Sequence, residues 1–393
     1  MKINRLSRIL SLALCLGALL MLIGCWDRRE INDVAFVLAG GADKEGDLIR
    51  ISVLIPLTGN MGTANSGGGG GSGGQKPYTI KTETGKTVSE AVSKLQYRLP
   101  RHLFFGHRRV IIIGEELART EGIDLVIDAI TRTPEKRFST FIAVSEGRAL
   151  DLLEADTRLE RFSAESMREQ LQSETSTHIN LMEIISKLVT VGQDAYFPYL
   201  QKVKTEIKGQ ESEDIRSESF VLFHDGRMTG KLERDAALGF RLLNQSIRNY
   251  DETVIVDGSY LTVTISHAST SITPIVKNNE LTYRIHSSVK VSVNEDRNLA
   301  RNYDDPEQRN RIERNIARHV ADNINLAIHK MQQSNSDAIG FGLHVYRAYP
   351  HIWNTKYRKD WNEIFPTLKF EVTGEANLFR FGMSSENLGR KDR

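Results

Sequence analysis

Cysteine is almost missing: the 393 residues contain two. Cys15 lies inside an N-terminal apolar run and Cys25 stands just after it. Beyond Cys25 the chain has no thiol, which excludes a cysteine nucleophile, a thiolate metal site and a disulfide scaffold together. An excess of one charge sign is missing too, with 52 Lys and Arg against 50 Asp and Glu. A nucleic-acid binder wants a strongly basic domain, so that class has little support. No long apolar run recurs after Ile23, and no second membrane attachment is legible. What remains, 40% apolar and 26% charged residues, describes a globular chain long enough for two or three domains with their own cores.

The N-terminal run is a different matter. Lys2, Arg5 and Arg8 form a basic leader, and Ile9 to Ile23 form an apolar stretch of about 15 residues, the length of a secretory signal. A spanning helix needs roughly 20. Leu22-Ile23-Gly24-Cys25 then reads as a lipobox, with a thiol that a diacylglycerol transferase can alkylate and a small residue before it that lets a signal peptidase approach. The expectation is a signal peptide over 1–24 and a lipidated Cys25 as the first mature residue. A transmembrane anchor that happens to end in Cys is the alternative, but Arg28, Arg29 and Glu30 follow with no stop-transfer pattern. Two palmitate-type chains, at about 0.8 kcal/mol per buried methylene, hold a protein to a bilayer unaided. Loss of the leader removes three basic residues and no acidic one, leaving 49 of the 52 basic residues against 50 acidic.

Downstream, Val34 to Ala39 and Leu48 to Ile55 read as strands, and Asn60 to Gln75 as a Gly- and Ser-rich loop. Tyr78 to Glu83 is a strand, and Thr87-Val88-Ser89-Glu90 is a capping box opening a helix that Pro100 ends. Val110 to Ile113, a helix to about Ala118, a helix from Asp124 to Thr131 and a strand from Phe138 to Val144 continue the alternation expected of a mixed α/β layer. Charged helical segments follow, anchored at Ala149 to Leu153, Met167 to Leu171 and Leu181 to Val191. Tyr196-Phe197-Pro198-Tyr199 and the polar run Lys208 to Arg216 mark a boundary between about 190 and 215.

The second half opens with a hairpin about Asp225-Gly226 and a helix through Leu238 to Ile247. Long alternating strands over 253–293 predict a largely antiparallel sheet with one buried face. Asp305-Pro306 starts a helix whose Ile312, Ile316, Val320, Ile324, Ile328 and Met331 form one apolar side, and two short strands, Leu368 to Thr373 and Ala376 to Phe381, close the chain. The fold class is α+β and multi-domain: a mixed α/β unit over 25–200, then a unit over 215–385 with the antiparallel sheet under the long helix, with room for a small middle subdomain.

Three stretches could carry chemistry. Gly70-Gly71-Ser72-Gly73-Gly74 matches a nucleophile elbow, yet no strand leads in and no helix leads out, so the match is one of composition. His102 and His107 lie five residues apart, which is not the one-face spacing of a zincin pair, and no carboxylate ligand is near. Arg98, Arg101, Arg108 and Arg109 suit an anion site; the blander reading is a helix-to-strand corner whose arginines pair with local acids such as Glu115 and Glu116. Asp337 to Gly342 is too short and wrongly placed for a dinucleotide fingerprint.

Taken together, Gly24-Cys25-Trp26-Asp27-Arg28-Arg29-Glu30-Ile31-Asn32-Asp33, the block Pro100 to Glu116 around Phe104-Phe105-Gly106-His107, and Asp337 to Gly342 with Tyr349-Pro350, Trp353 and Trp361 resemble the Ger(x)C lipoproteins. These are the C subunits of the germinant receptors of endospore-forming bacteria. The resemblance implies a lipid-anchored accessory subunit on the outer face of the spore's inner membrane, assembled with membrane-spanning A and B subunits and needed for nutrient-triggered germination. It implies no enzyme activity, catalytic residue, cofactor or metal; Cys25 alone carries over, as the lipidation site. Two other classes compete. A solute-binding lipoprotein delivering a small molecule to a transporter needs two similar lobes around a cleft, and a tethered hydrolase needs carboxylates or a Ser-His-Asp set converging in one pocket.

Overall fold

The computed structural model describes residues 30–57, 76–133, 135, 137–157, 159–173, 177–207 and 210–380, with 9, 10, 12 and 13 of the leader. Cys25 and the Gly-rich loop with Ser72 lie outside the described residues. Among the described residues no helix is long and apolar enough to cross a membrane.

The first part of the chain runs β1 (Val34–Phe36), β2 (Ala39–Glu45), β3 (Leu48–Pro56), β4 (Tyr78–Gly85), α1 (Val88–Tyr97), β5 (His102–Phe104) and β6 (Val110–Gly114). It continues through α2 (Glu115–Thr120), α3 (Asp124–Arg132), β7 (Phe141–Ser145), α4 (Ala149–Leu153), α5 (Ser163–Gln172), α6 (Leu181–Val189), β8 (Tyr196–Ile207), β9 (Gln210–His224) and β10 (Arg227–Leu232). Eight of these strands form one sheet in the order β10-β9-β8-β7-β6-β2-β3-β4. The inner pairs β2/β6, β6/β7 and β7/β8 are parallel, as the intervening helices require, and the outer pairs are antiparallel. Strand β6 shows why its sequence is uniformly apolar. Ile111 and Ile113 face one core with Leu117, Val126 and Ile184, while Val110 and Ile112 face another with Ala149, Leu153 and Met167. A strand covered by helices on both faces has no polar side to show. The capping box is present with one change: Thr87 Oγ1 accepts from Glu90 N at 3.1 Å, but the Glu90 carboxylate accepts from Lys86 N at 2.8 Å instead of Thr87 N.

The second sheet, ordered β11-β12-β13-β14, contains β11 (Tyr250–Val256), β12 (Ser259–Lys277), β13 (Glu280–Asp296) and β14 (Lys369–Arg380). The turns Asp257-Gly258 and Asn278-Asn279 have positive φ at both residues, the geometry that lets a two-residue loop follow the strand twist. Helix α7 (Arg234–Leu243) and helix α8 (Pro306–Gln333) cover this sheet. Asp305 Oδ1 accepts from Glu307 N at 2.9 Å to start α8, and the expected apolar side is buried from Ile312 to Met331. Each such side chain contributes roughly 1.5–3 kcal/mol by leaving water. The α+β class and the long covering helix are as expected.

Several expectations change. Val34 to Ala39 is not one strand: Val34–Phe36 pairs with His102–Phe104 in a separate parallel ribbon, and the sheet begins at Ala39. The hairpin about Asp225-Gly226 exists, but it extends the first sheet and not the second. Tyr196 to Tyr199 is buried in β8, and the polar run from 208 to 216 is strand from Gln210 on. Its charges looked like a linker because they serve cross-strand pairing, as Lys202 with Glu213 at 3.0 Å shows. The two closing strands are one, β14, parallel to β13. Gly374 at its middle is no break; a Cβ there would lie 2.0 Å from the Ala317 carbonyl oxygen, so glycine lets α8 rest on the strand.

Candidate functional site

The arginine stretch does not converge as a unit. Arg98 is exposed and pairs with Glu83 at 2.8 Å, and Arg101 is exposed on the turn into β5. Arg109 pairs with Glu165 of α5 at 2.6 Å. Glu115 serves none of the four; it pairs with Arg119 and Lys231, each at about 3 Å, and accepts from Tyr199. Local acids do take up two of the arginines, but they are Glu83 and Glu165, which only the folded topology brings near. The histidines also part. His102 Nε2 stands 3.9 Å from Glu135, while the His107 ring packs against Phe36 at 5.1 Å and Phe104 at 5.7 Å. Among the described residues no group of three or more metal-ligating side chains is placed to hold an ion.

Arg108 and Arg109 do share a cavity of about 450 Å³ with His107, Arg137, Ser139, Phe141, Arg168 and Gln172. Arg108 is 8% exposed, its Nε has no hydrogen-bond partner, and its guanidinium lies over the Phe105 ring at 5.6 Å. Burial alone pulls its pKa down to about 10, so it stays charged at neutral pH. Arg137 and Arg168 were not legible as partners, because 27 and more residues of helix and strand separate them from Arg109.

The Asp337 stretch is a joint. The Asp337 carboxylate accepts from the backbone N–H of Gly340 at 2.8 Å, Phe341 at 2.7 Å and Gly342 at 2.8 Å, and from Trp361 Nε1 at 3.0 Å. It thereby caps α9 (Phe341–Ala348) and anchors the Trp361 segment at once. Burial raises its pKa to about 7, against the four donors that favour the charged form. Asp194, between α6 and β8, reaches the same place: its Oδ2 accepts from Asp337 N at 2.8 Å and lies 3.4 Å from His224 Nδ1. Around them Trp353 packs edge-on against Trp361 at 5.1 Å, and the Tyr283 hydroxyl donates to the Phe341 carbonyl at 2.7 Å. Two acids and a histidine in contact resemble acid-base machinery in composition only. The Asp337 oxygens are spent on protein donors, which is the chemistry of a structural clamp.

The Asp337 segment thus serves architecture at a buried junction, and sequence comparison places that architecture. A profile described as "Spore germination protein N-terminal domain" matches residues 27–202, and one described as "Spore germination B3/ GerAC like, C-terminal" matches 218–382. "Putative spore germination protein YfkR" of Bacillus subtilis (strain 168) is 30% identical over 377 residues, 95% of this chain and 96% of that one. The chain belongs to the GerAC-like spore germination family. Spore germination protein KC of the same organism is 27% identical over 94% of this chain and 96% of its own length, and spore germination protein B3 is 24% identical over 93% and 96%. The crystal structure of the GerBC protein superposes with a TM-score of 0.55 at 19% identity, covering 86% of this chain and 96% of that one, a likeness of fold. In this GerAC-like chain Asp337 to Gly342, Trp353 and Trp361 meet at the clamp, while Phe104-Phe105-Gly106-His107 forms the corner against β1.

Proposed function

We propose that this protein is the lipid-anchored, non-catalytic subunit of a nutrient germinant receptor. Diacylglycerol on Cys25 holds it to the outer face of the spore's inner membrane, where it assembles with membrane-spanning A and B subunits. The observation that carries the reading is similarity along nearly the whole length to proteins named for spore germination, joined to a lipobox ahead of the matched region. The units over 25–200 and 215–385 are part of the same proposal as stretches of sequence, each matching its own family profile in the main, while the hairpin that opens the second completes the sheet of the first. The role is that of a docking piece: both oxygens of the buried Asp337 carboxylate are committed to holding segments together. The solute-binding alternative asks for two like lobes, whereas the two sheets here have eight and four strands.

The test is the anchor. Cys25→Ala, expressed without receptor partners, is expected to leave the membrane fraction, and mass spectrometry of the wild-type N-terminus is expected to find a modified Cys25 with residues 1–24 gone. An unmodified, uncleaved leader sinks the lipid reading. In spores, the same variant is expected to slow the nutrient response.

A further inference from the structure

The cavity beside β6 carries more positive than negative charge among the described residues. Four arginines, Arg108, Arg109, Arg137 and Arg168, line it together with His107, Ser139 and Gln172. The acids against them are Glu165, shared by Arg109 at 2.6 Å and Arg168 at 3.0 Å, and Glu169, which pairs with Arg168 at its outer side. Arg137 donates from Nε to Ser139 Oγ at 2.9 Å and Arg168 from Nη1 to Gln172 Oε1 at 2.7 Å, so neutral partners hold both forks in place, in addition to the carboxylates on Arg168. Arg108 has the strongest demand. It is more than nine-tenths buried, unpaired at Nε, and forms no ion pair among the described residues. A buried cation is costly unless paired, and its retention at a cavity wall calls for an anion from outside.

We propose that this cavity binds a phosphate group. Arginine forks match phosphate oxygens two at a time, and four of them beside two carboxylates, Glu165 and Glu169, leave an excess of two positive charges, the charge of a phosphate dianion. The Ser139 hydroxyl and the Gln172 amide add neutral donors at the wall. The group has two sources, a free phosphate compound or a phospholipid headgroup. The headgroup is within reach. His107 packs on Phe36, and the residues from 25 to 36 span at most about 40 Å when fully extended, so a lipidated Cys25 keeps the cavity near its bilayer. The lipid source rests on the anchor reading above; the phosphate site rests on the cavity.

The test is calorimetric titration of the full chain in neutral detergent with three probes at constant ionic strength: inorganic phosphate, dihexanoyl phosphatidylglycerol and dihexanoyl phosphatidylcholine. Binding of at least one phosphate probe is expected, with Arg137→Gln and Arg168→Gln each weakening it roughly tenfold. Arg108→Met is expected to weaken it further, and the two surface variants carry the test if that protein does not fold. Arg98→Gln, distant from the cavity, is expected to bind as wild type. Tighter binding of phosphatidylglycerol than of inorganic phosphate assigns the site to a headgroup, and the reverse order assigns it to a free phosphate compound. Absence of binding for all three probes at millimolar concentration, or equal weakening by Arg98→Gln, overturns the site. A failed anchor would show in the N-terminal mass and leave these titrations unchanged.

Discussion

Asp194 and Asp337, 143 residues apart in sequence, hold each other through two reciprocal hydrogen bonds. Asp194 N donates to the Asp337 carbonyl at 2.9 Å, and Asp337 N donates to Asp194 Oδ2 at 2.8 Å. The first pins the loop before β8 to the turn after α8; the second adds charge to that pin. The Asp337 side chain takes four further N–H groups, so the α9 cap and the Trp361 segment share one carboxylate on a residue whose backbone holds Asp194. In Asp337→Asn one oxygen becomes an amide nitrogen facing two donors. Leaving a buried donor unmet costs about 1–3 kcal/mol, so the loss is expected to be roughly 3 kcal/mol. Urea unfolding would check it, and a change below about 0.5 kcal/mol would show that the carboxylate is not the clamp.

The same junction has a steric test. Gly192, at φ +70°, carries its backbone against Gly342, and a Cβ on Gly342 would lie 2.8 Å from Trp353 Cη2 and 2.9 Å from Gly192 Cα. Gly342→Ala is expected to push the two halves apart or shift the indole, at the roughly 1–3 kcal/mol typical of overpacking. Near-ultraviolet circular dichroism would report the tryptophan environment, and a spectrum and melting temperature equal to wild type would refute the contact.

Local pattern carried most of the elements and none of this junction. The strand alternation through Ile49, Ile51 and Val53, the Thr87 cap and the apolar side of α8 are near-neighbour signals, and each is where its period puts it. What failed to show depends on long-range pairing. The charges of β8 and β9 mimic a linker until the strands are laid side by side, and Gly374 mimics a turn until α8 is placed over it. The Asp337 motif was visible as a string of glycines, but its partner Asp194 carries no signal of its own. Arg137 and Arg168 are ordinary helix and loop arginines until α5 folds over β6 and β7.

A buried charge pair was equally hidden. Arg301 is 5% exposed and Asp296 9%; Arg301 Nη1 donates to both Asp296 oxygens at 3.0 Å, Nη2 donates to the Val256 carbonyl at 2.8 Å, and Tyr303 OH donates to the same carboxylate. The group closes the end of β13 over β11 before α8 begins. Asp296→Ala leaves a buried guanidinium with only a carbonyl, and destabilisation of about 3–5 kcal/mol is expected. Because Asp296→Ala with Arg301→Met removes both charges, the double variant is expected to recover part of that loss. A double variant no more stable than Asp296→Ala would contradict the account.

His319 on α8 gives the fold a dependence on pH. Its Nε2 lies 2.9 Å from Glu252 Oε1 on β11, and that hydrogen bond raises its pKa above 6.5, with Asp235 and Asp322 adding in the same direction and burial opposing. A raised value means that the folded state holds the proton more tightly than the unfolded one. The stabilisation is complete below the unfolded value, near pH 6.5, and is lost as pH rises through the higher folded value. Chemical denaturation from pH 6 to 9 is expected to show this fall, and His319→Gln is expected to flatten it. A slope unchanged in the variant would assign the dependence to another group.

The proposed docking role makes a prediction about nutrients. A tight small-molecule receptor encloses its ligand, commonly burying most of the ligand surface between matched walls. Here the second sheet is occupied by α7 and α8, and the contact between the halves is filled by the Asp337 clamp and the Trp353–Trp361 pair. The cavity of about 620 Å³ between β8–β10 and the α7–α8 side is walled by Arg216, Glu218, Lys231, Glu233, Arg234 and Lys330, a polar surface with little apolar area to desolvate an amino acid or sugar. Calorimetry of the full chain in detergent with amino acids and sugars is therefore expected to show no submicromolar affinity. A dissociation constant below about 1 μM, some −8 kcal/mol, would move the protein into the solute-binding class.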